Sequence, residues 1–136
     1  MLKVTIFFVG RERGGWEGEY IERLKGNCLV EWVACRGDDQ LTARLERERQ
    51  VVLLDPAGQQ LDSEEFSRFL FEQLEAGGSR LALAIGGAEG LPQALRSRFP
   101  MISLSRLTFP HELVRVILAE QLYRAFEIRR GSPYHK

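Results

Sequence analysis

Short, uninterrupted apolar runs constrain this chain more than any other feature. The runs Val51–Leu54 and Leu81–Ile85 contain no polar residue, and such runs are typical of strands that are covered on both faces. The predicted strands are 2–9, 28–34, 51–54, 81–85 and 101–104, and the predicted helices between them are 16–25, 41–49, 63–75 and 91–98. Because helices alternate with apolar strands, the sequence predicts an α/β fold with a parallel sheet, in a single domain that spans residues 1–136.

The composition narrows the class of protein. The chain has 136 residues, of which 44% are hydrophobic and 28% are charged, and these values are typical of an ordered globular domain. No stretch approaches the roughly 20 apolar residues of a membrane span. The apolar N-terminus fits a buried strand better than a signal peptide. The two cysteines, Cys28 and Cys35, lack metal-binding spacing, so we expect a reduced, cytoplasmic protein without metal.

Charge is distributed unevenly along a chain of zero net charge. Residues 1–95 carry 11 basic and 16 acidic residues, whereas residues 96–136 carry 8 basic and 3 acidic residues. The last third is therefore positive, and a localised positive face suits a polyanionic partner such as RNA. The loop 10–15, with Arg11 and Arg13, is also expected to be exposed.

The final helix is predicted over about 110–129, with Thr108 or Phe109 at its cap position. Its surface is apolar almost all round, which implies burial on more than one side. Since a small protein can rarely enclose such a helix alone, we expect a subunit interface. Arg115 falls within the apolar arc, and a buried arginine needs a partner. It therefore belongs to an interface ion pair or binds an anion.

Three loops follow predicted strands at their carboxyl ends, where ligands of parallel sheets bind. They are residues 54–58, 86–90 and 103–110. The paired glycines Gly86 and Gly87 allow a backbone to approach a ligand closely, although they are equally consistent with a tight turn. Their spacing matches neither the dinucleotide fingerprint nor the P-loop.

Residues 51–136 contain a series of motifs in a fixed order. They are Leu-Leu-Asp-Pro-Ala-Gly at 53–58, Ile-Gly-Gly-Ala-Glu-Gly-Leu at 85–91, Ser-Leu-Ser-Arg-Leu-Thr-Phe-Pro-His at 103–111, Leu-Val-Arg-Val at 113–116, Leu-Ala-Glu-Gln-Leu-Tyr-Arg-Ala at 118–125 and Pro-Tyr-His-Lys at 133–136. With these motifs, residues 51–136 closely resemble the ribosomal large-subunit methyltransferase H family of the SPOUT superfamily. The resemblance implies a homodimeric fold with a carboxyl-terminal trefoil knot over about residues 81–129. It also implies S-adenosylmethionine as cofactor and methylation of N3 of a pseudouridine in large-subunit (23S) rRNA on the assembled ribosome.

The resemblance also assigns site residues. Those implied to bind the cofactor are Leu54, Gly86, Gly87, Leu104, Ser105, Arg106, Leu107, Thr108 and Phe109, with Glu89 and Gly90 shaping the pocket. Those implied to face the RNA or the partner subunit's pocket are His111, Arg115, Arg124, Tyr134 and His135.

Proton removal from N3 calls for a general base, and His135 is the preferred candidate. Other roles stay open: a phosphate or stacking contact for His135, a structural hydrogen bond for His111, and a helical pair with Glu120 for Arg124. Tyr134 either stacks on a base or packs the tail, and Arg129 and Arg130 are expected to solvate the helix end.

Two other functions fit the same sequence. The first is a catalytically inactive, dimeric RNA- or ribosome-binding module on the same scaffold, against which the intact glycine loop argues. The second is an unrelated doubly wound nucleotide-binding domain, which would be an unknotted monomer.

Overall fold

A computed structural model describes residues 1–11, 15–87 and 89–136. Arg13, from the loop predicted to be exposed, and Ala88, from the glycine loop, lie outside these residues. The elements in chain order are β1 (Leu2–Val9), α1 (Glu17–Leu24), β2 (Cys28–Cys35), α2 (Asp38–Leu45), β3 (Val51–Gln60), α3 (Ser63–Ala76), β4 (Arg80–Ile85), α4 (Gln93–Arg96), β5 (Met101–Ser103) and α5 (His111–Arg130). Within the described ranges, no helix is long and apolar enough to cross a lipid bilayer.

The strands form one sheet in the order β2-β1-β4-β3-β5. Every pairing between neighbouring strands is parallel, so the predicted parallel α/β sheet is confirmed. Because parallel strands end at the same edge, β3, β4 and β5 deliver their following segments to one side of the sheet. This topology brings the three loops of the sequence analysis together.

The sheet is covered on both faces, as the apolar runs predicted. Side chains alternate along β1: Val4, Ile6 and Phe8 join the core under α1, α3 and α5, whereas Phe7 joins the core under α2 and α4. Helix α5 contributes Leu118 and Leu122, both fully buried, to the first of these cores. Helix α5 is therefore fixed to the sheet along its middle, and its first turn lies beside the loop that follows β5.

Strand β3 is longer than the sequence predicted. Residues 55–58 were expected to form a turn, but β3 continues through them, shifts register between Leu54 and Gln59, and pairs again with β5. Gly58 permits this, because a Cβ there would lie 2.7 Å from the backbone of Ile102. The prediction of a simple turn is thus wrong, since a close backbone contact with β5 keeps the segment in the sheet.

The structure shows how two of the predicted helices begin. Helix α3 begins at Ser63 as expected, but its cap is Asp62, whose side chain accepts from the Glu65 N–H at 2.8 Å while Glu65 accepts from the Asp62 N–H at 2.9 Å. This is a capping box. Helix α5 begins at His111 after Pro110, without a side-chain cap, so the prediction of a cap at Thr108 or Phe109 is wrong. Pro110 occupies the cap position, and its side chain has no acceptor for the first-turn N–H groups.

Candidate functional site

A cavity of about 500 Å³ opens at the carboxyl edge of the sheet. Its lining comes from the middle of β3, from the segments after β4 and β5 and from the first turn of α5. The lining residues are Leu54, Asp55, Pro56, Ile85, Gly86, Gly87, Gly90, Leu91, Leu104, Ser105, Leu107, Thr108, Phe109, Pro110, His111 and Val114. The structure therefore gathers eight of the nine predicted cofactor residues, together with His111, into one concave site.

The glycine loop forms one wall of this cavity with its backbone. Gly87 and Gly90 form an isolated antiparallel bridge, and the Gly90 N–H donates to the Gly87 carbonyl at 2.9 Å. A Cβ on Gly86 would lie 2.6 Å from the carbonyl carbon of Gly90, so only glycine allows the loop to fold back this closely. The loop is a tight turn and also a wall of the cavity, so the two interpretations of the paired glycines are compatible.

The loop 104–110 forms the opposite wall. The Ser103 hydroxyl donates to the Ser105 carbonyl at 2.9 Å, and the Leu107 N–H donates to the Ser105 hydroxyl oxygen at 3.0 Å. These two bonds give the loop a defined shape between β5 and α5. Arg106 belongs to this loop but does not line the cavity; it borders a neighbouring groove with Gln60.

Asp55 is a cavity residue that the sequence analysis did not name individually. Its Oδ1 atom accepts from the Ala57 N–H at 2.9 Å, and its Oδ2 atom lies 3.6 Å from Nε of Arg96. The Arg96 Nε is buried and has no hydrogen-bond partner among the described residues. Its position in the sequence could have identified Asp55 as a site residue, because it directly follows the buried run 51–54, at the edge of the sheet where ligands bind.

His111 and Arg115 border a second, smaller cavity of about 170 Å³ that shares His111 and Ile85 with the first. Arg115 is 6% exposed. Its guanidinium carbon lies 4.8 Å from the centroid of the Phe8 ring, and its Nη1 atom donates to the Arg11 carbonyl at 3.3 Å. The Phe8 ring and the Arg11 carbonyl therefore stabilise the buried Arg115 cation. An anionic partner for Arg115 stays a prediction.

The remaining predicted residues form a separate tail cluster, which consists of Glu120, Arg124, Tyr134 and His135. Arg124 donates to Oε2 of Glu120 from Nη2 at 2.8 Å and from Nε at 3.1 Å, so the predicted helical pair is confirmed. The Tyr134 hydroxyl donates to the same Oε2 at 2.8 Å, and Arg124 Nη1 lies 3.1 Å from His135 Nδ1. Burial, followed by the hydrogen bond to Glu120, raises the pKa of Tyr134 to about 12.

A second carboxylate anchors the start of the tail. Glu127 is 8% exposed and accepts hydrogen bonds from Arg130 at 2.9 Å and from the Ser132 hydroxyl at 3.1 Å. The bond from Arg130 is the main reason why the pKa of Glu127 lies below its ordinary value. Arg129 lies over the Phe71 ring at 4.2 Å. Arg129 and Arg130 thus hold the helix end instead of merely solvating it.

The tail cluster and the large cavity are apart within one chain. Glu120 follows His111 by nine residues on the same helix, which corresponds to roughly 14 Å along the axis. Arg124 lies one turn farther along the helix, and Arg124, Tyr134 and His135 do not line the cavity. The structure therefore does not bring Arg124, Tyr134 and His135 into the cavity of their own chain.

Metal ligation gains no support from the part of the chain that is described. There, no group of three or more His, Cys, Asp or Glu side chains is placed to hold a metal ion. The two cysteines are buried, and burial raises the pKa of the Cys28 thiol to about 11. A neutral, enclosed thiol is a poor nucleophile.

Together, the fold and the cavity define an α/β protein with a ligand pocket at the carboxyl edge of a parallel sheet. A model of the family described as "Predicted SPOUT methyltransferase" matches residues 2–135. The chain therefore belongs to the SPOUT methyltransferase family.

Curated relatives match the chain over its full length. A protein of Protochlamydia amoebophila named ribosomal RNA large subunit methyltransferase H is 45% identical over 140 residues, which cover 100% of both chains. A protein of the same name from Methylocella silvestris is 46% identical over 159 residues, which cover 99% of each chain. Both identities are high enough to establish common family membership.

Solved structures share the fold at low identity. A probable methylase family protein from Haemophilus influenzae superposes with a TM-score of 0.62 at 10% identity, covering 98% of this chain and 70% of the other. A putative methyltransferase from Legionella pneumophila, solved in complex with the bound cofactor SAM, gives a TM-score of 0.50 at 14% identity and covers 92% and 66%.

Proposed function

We propose that this chain uses S-adenosylmethionine to methylate large-subunit (23S) rRNA. The proposed acceptor is N3 of a pseudouridine on the assembled ribosome, in the cytoplasm. The observation that carries the proposal is the cavity between the glycine loop and the loop 104–110, in a chain whose relatives are named as large-subunit rRNA methyltransferases. The pseudouridine and its N3 atom follow from the sequence resemblance described above.

The cavity residues fit S-adenosylmethionine. The walls of the cavity are mostly apolar side chains and backbone, with a few polar groups at Asp55, Ser105, Thr108 and His111. Such a lining suits a purine nucleoside. Gly86 leaves room that a Cβ would fill. Leu54, Gly86, Gly87 and the loop from Leu104 to Phe109 would hold the cofactor, with Arg106 at its margin. When bound, the cofactor supplies an electrophilic methyl group.

The protein's own part in the reaction is to position the acceptor and to remove its proton. The N3–H group of a uracil-type base is a weak acid, so a nearby base accelerates its methylation. We assign this role to His135, with Tyr134 and Arg124 beside it. His111, which lines both cavities, and Arg115, which lines the smaller one, would contact the RNA.

The positive last third supports an RNA partner only in part. Among the described residues, at least four of its eight basic residues are paired with carboxylates of the chain itself: Arg96 with Asp55, Arg98 with Glu46, Arg124 with Glu120 and Arg130 with Glu127. A composite surface, to which the ribosome and a second subunit both contribute, would explain how a neutral protein selects RNA.

We propose further that the chain is a homodimer with a trefoil knot over about residues 81–129. Two large apolar side chains are exposed: Leu113, in the first turn of the long helix, is 44% exposed, and Trp16, which precedes α1, is 75% exposed. A second subunit that covered them would bury apolar surface. The separation of the tail cluster from its own cavity supports the same conclusion, because the partner subunit's tail would complete each site.

The test is transfer of labelled methyl from S-adenosylmethionine to ribosomes that lack the modification, with free rRNA and separated subunits in parallel. We expect label on assembled ribosomes, at N3 of a pseudouridine. Label on another RNA atom would overturn the acceptor, and intact cofactor binding without label on any of these RNAs would overturn the substrate. Absence of both label and cofactor binding would favour the inactive RNA-binding module.

A further inference from the structure

Arg124 determines which nitrogen of His135 can carry a proton. An arginine guanidinium has five N–H donors and no acceptor. Since Nη1 of Arg124 lies 3.1 Å from Nδ1 of His135, the contact is a hydrogen bond only when Nδ1 offers its lone pair. The neutral imidazole then carries its proton on Nε2.

The opposite side of the ring agrees with this assignment. Nε2 of His135 lies 3.6 Å from Oε1 of Glu64, in the first turn of α3. This distance exceeds that of a good hydrogen bond, but a carboxylate on this side favours an N–H over a lone pair. The two neighbours of the ring, a cation at Nδ1 and an anion near Nε2, therefore select the same tautomer.

Glu120 holds the guanidinium in place for this contact. Its Oε2 atom accepts from both Nε and Nη2 of Arg124, and two hydrogen bonds to one oxygen restrict the rotation of the guanidinium. Its Oε1 atom also accepts from the Gln121 amide at 2.8 Å. The Glu120 side chain is 18% exposed and that of Arg124 is 24% exposed, so water only partly weakens the pair.

We propose that Glu120 is a positioning residue, which acts through Arg124 to hold His135 as the neutral tautomer with its proton on Nε2. In this arrangement the lone pair of His135 is fixed on Nδ1, the nitrogen that faces Arg124. Nδ1 is then the atom that accepts the proton once the substrate takes the place of the guanidinium, and without Glu120 the lone pair is no longer held on that nitrogen. The catalytic consequence, though not the tautomer, rests on the function proposed above.

Nitrogen NMR tests the tautomer without any ligand. The chain contains only two histidines, His111 and His135, so a His111→Asn variant assigns both rings in two-bond ¹H–¹⁵N spectra. Spectra are recorded near pH 8, above the ordinary imidazole pKa of about 6.5. We expect the wild-type His135 ring to show a fully unprotonated Nδ1 and a fully protonated Nε2. An exchange-averaged pair of shifts, or a protonated Nδ1, would overturn the proposal.

The Glu120→Gln variant tests whether Glu120 is the cause. It keeps the size of the side chain and removes the charge, so the two His135 nitrogen shifts should move towards those of a tautomerically averaged imidazole. The His111 shifts should stay unchanged, which reports that the fold is intact. Glu72→Gln, an exposed change on α3 away from the cluster, is the matched control. Unchanged His135 shifts in Glu120→Gln would refute the positioning role.

Methylation kinetics of Glu120→Gln test the consequence for catalysis separately from the NMR spectra. We expect kcat for ribosome methylation to fall by about tenfold or more in Glu120→Gln, while cofactor affinity stays at the wild-type value, since Glu120 does not line the cavity. If ribosomes are not the substrate of the wild-type protein, the proposed function fails while the NMR result stands. A shifted tautomer with unchanged kcat would overturn the catalytic consequence alone.

Discussion

The phenol of Tyr134 donates a hydrogen bond to Oε2 of Glu120 at 2.8 Å, which ties the end of the chain to a helix position fourteen residues earlier. The Tyr134 ring also packs edge-on against Tyr123, with 4.8 Å between the ring centroids, and lies 4.8 Å from the Arg124 guanidinium carbon. One side chain thus connects the tail to three residues of α5. The position of His135 depends on this connection.

Tyr134 makes stability sensitive to alkaline pH. Its folded pKa of about 12 exceeds the unfolded value of about 10, so the folded state retains the phenolic proton more strongly. This contribution to stability is complete below pH 10 and is lost as pH rises from about 10 to 12. We expect the unfolding midpoint in urea to fall more steeply over this range for wild type than for Tyr134→Phe.

Near neutral pH, Tyr134→Phe measures the contribution of this hydrogen bond to the free energy of unfolding. Loss of the hydrogen bond should lower the free energy of unfolding by about 1 kcal/mol, because the bond is charged but partly exposed. Tyr20→Phe removes a hydroxyl from the neighbouring ring, which contacts Tyr123 from α1, and serves as the control. Parallel pH profiles for wild type and Tyr134→Phe would contradict the role of this bond.

Gly86 and Gly87 should respond differently to the same small change. A Cβ at Gly86 would meet the backbone of Gly90 and Leu91 at 2.6 and 2.7 Å, whereas one at Gly87 would meet only the Val9 side chain, at 3.3 Å. Gly86→Ala should therefore displace the loop and weaken binding of S-adenosylmethionine by about tenfold or more, or about 1.4 kcal/mol. Gly87→Ala should bind nearly as wild type does.

Isothermal titration with S-adenosylmethionine measures this difference, and thermal unfolding of both variants shows whether each remains folded. An equal loss of affinity in the two variants would mean that the close contact between Gly86 and the backbone of Gly90 is not what shapes the cofactor pocket. Unchanged affinity in Gly86→Ala would remove this loop from the cofactor pocket.

Gly58 should tolerate even a methyl side chain poorly. A Cβ there would lie 2.7 Å from backbone atoms of Met101 and Ile102, so Gly58→Ala should separate β3 from β5 and cost about 2 kcal/mol of unfolding free energy. Gly18→Ala is the control, because a Cβ on this exposed residue of α1 meets nothing within 4 Å and should stabilise the helix by about 0.5 kcal/mol. Equal effects on the urea midpoint would contradict the close packing at Gly58.

Much of this architecture follows from local sequence patterns. The runs 51–54 and 81–85 have no polar residue, so their burial on both faces was predictable, and the helices predicted between the strands indicated parallel pairing. The meeting of the three loops followed from parallel topology, because every parallel strand ends at the same edge. Gly86 and Leu104 were thus assigned to one site from sequence.

Other features depend on contacts between distant segments. The order of strands is not encoded in any single run, since the apolar runs are chemically alike. The passage of β3 through residues 55–58 requires the backbone of β5, more than forty positions later. Asp55 lay at the correct edge, yet only the position of Arg96 shows that its carboxylate is held beside a buried guanidinium. The docking of Tyr134 on Glu120 likewise has no local signature.

Deletion of residues 134–136 should separate cofactor binding from methyl transfer. The deleted residues contact Glu120, Tyr123, Arg124 and Glu64, and they do not line the large cavity of their own chain. The truncated protein should therefore bind S-adenosylmethionine with wild-type affinity but methylate ribosomes at least about a hundredfold more slowly, since it lacks the proposed general base. Replacement of Lys136 alone by alanine is the control and should retain most activity. Unchanged turnover after truncation would exclude the tail from the reaction, whereas a parallel loss of cofactor affinity would show that the tail supports a cofactor pocket as well.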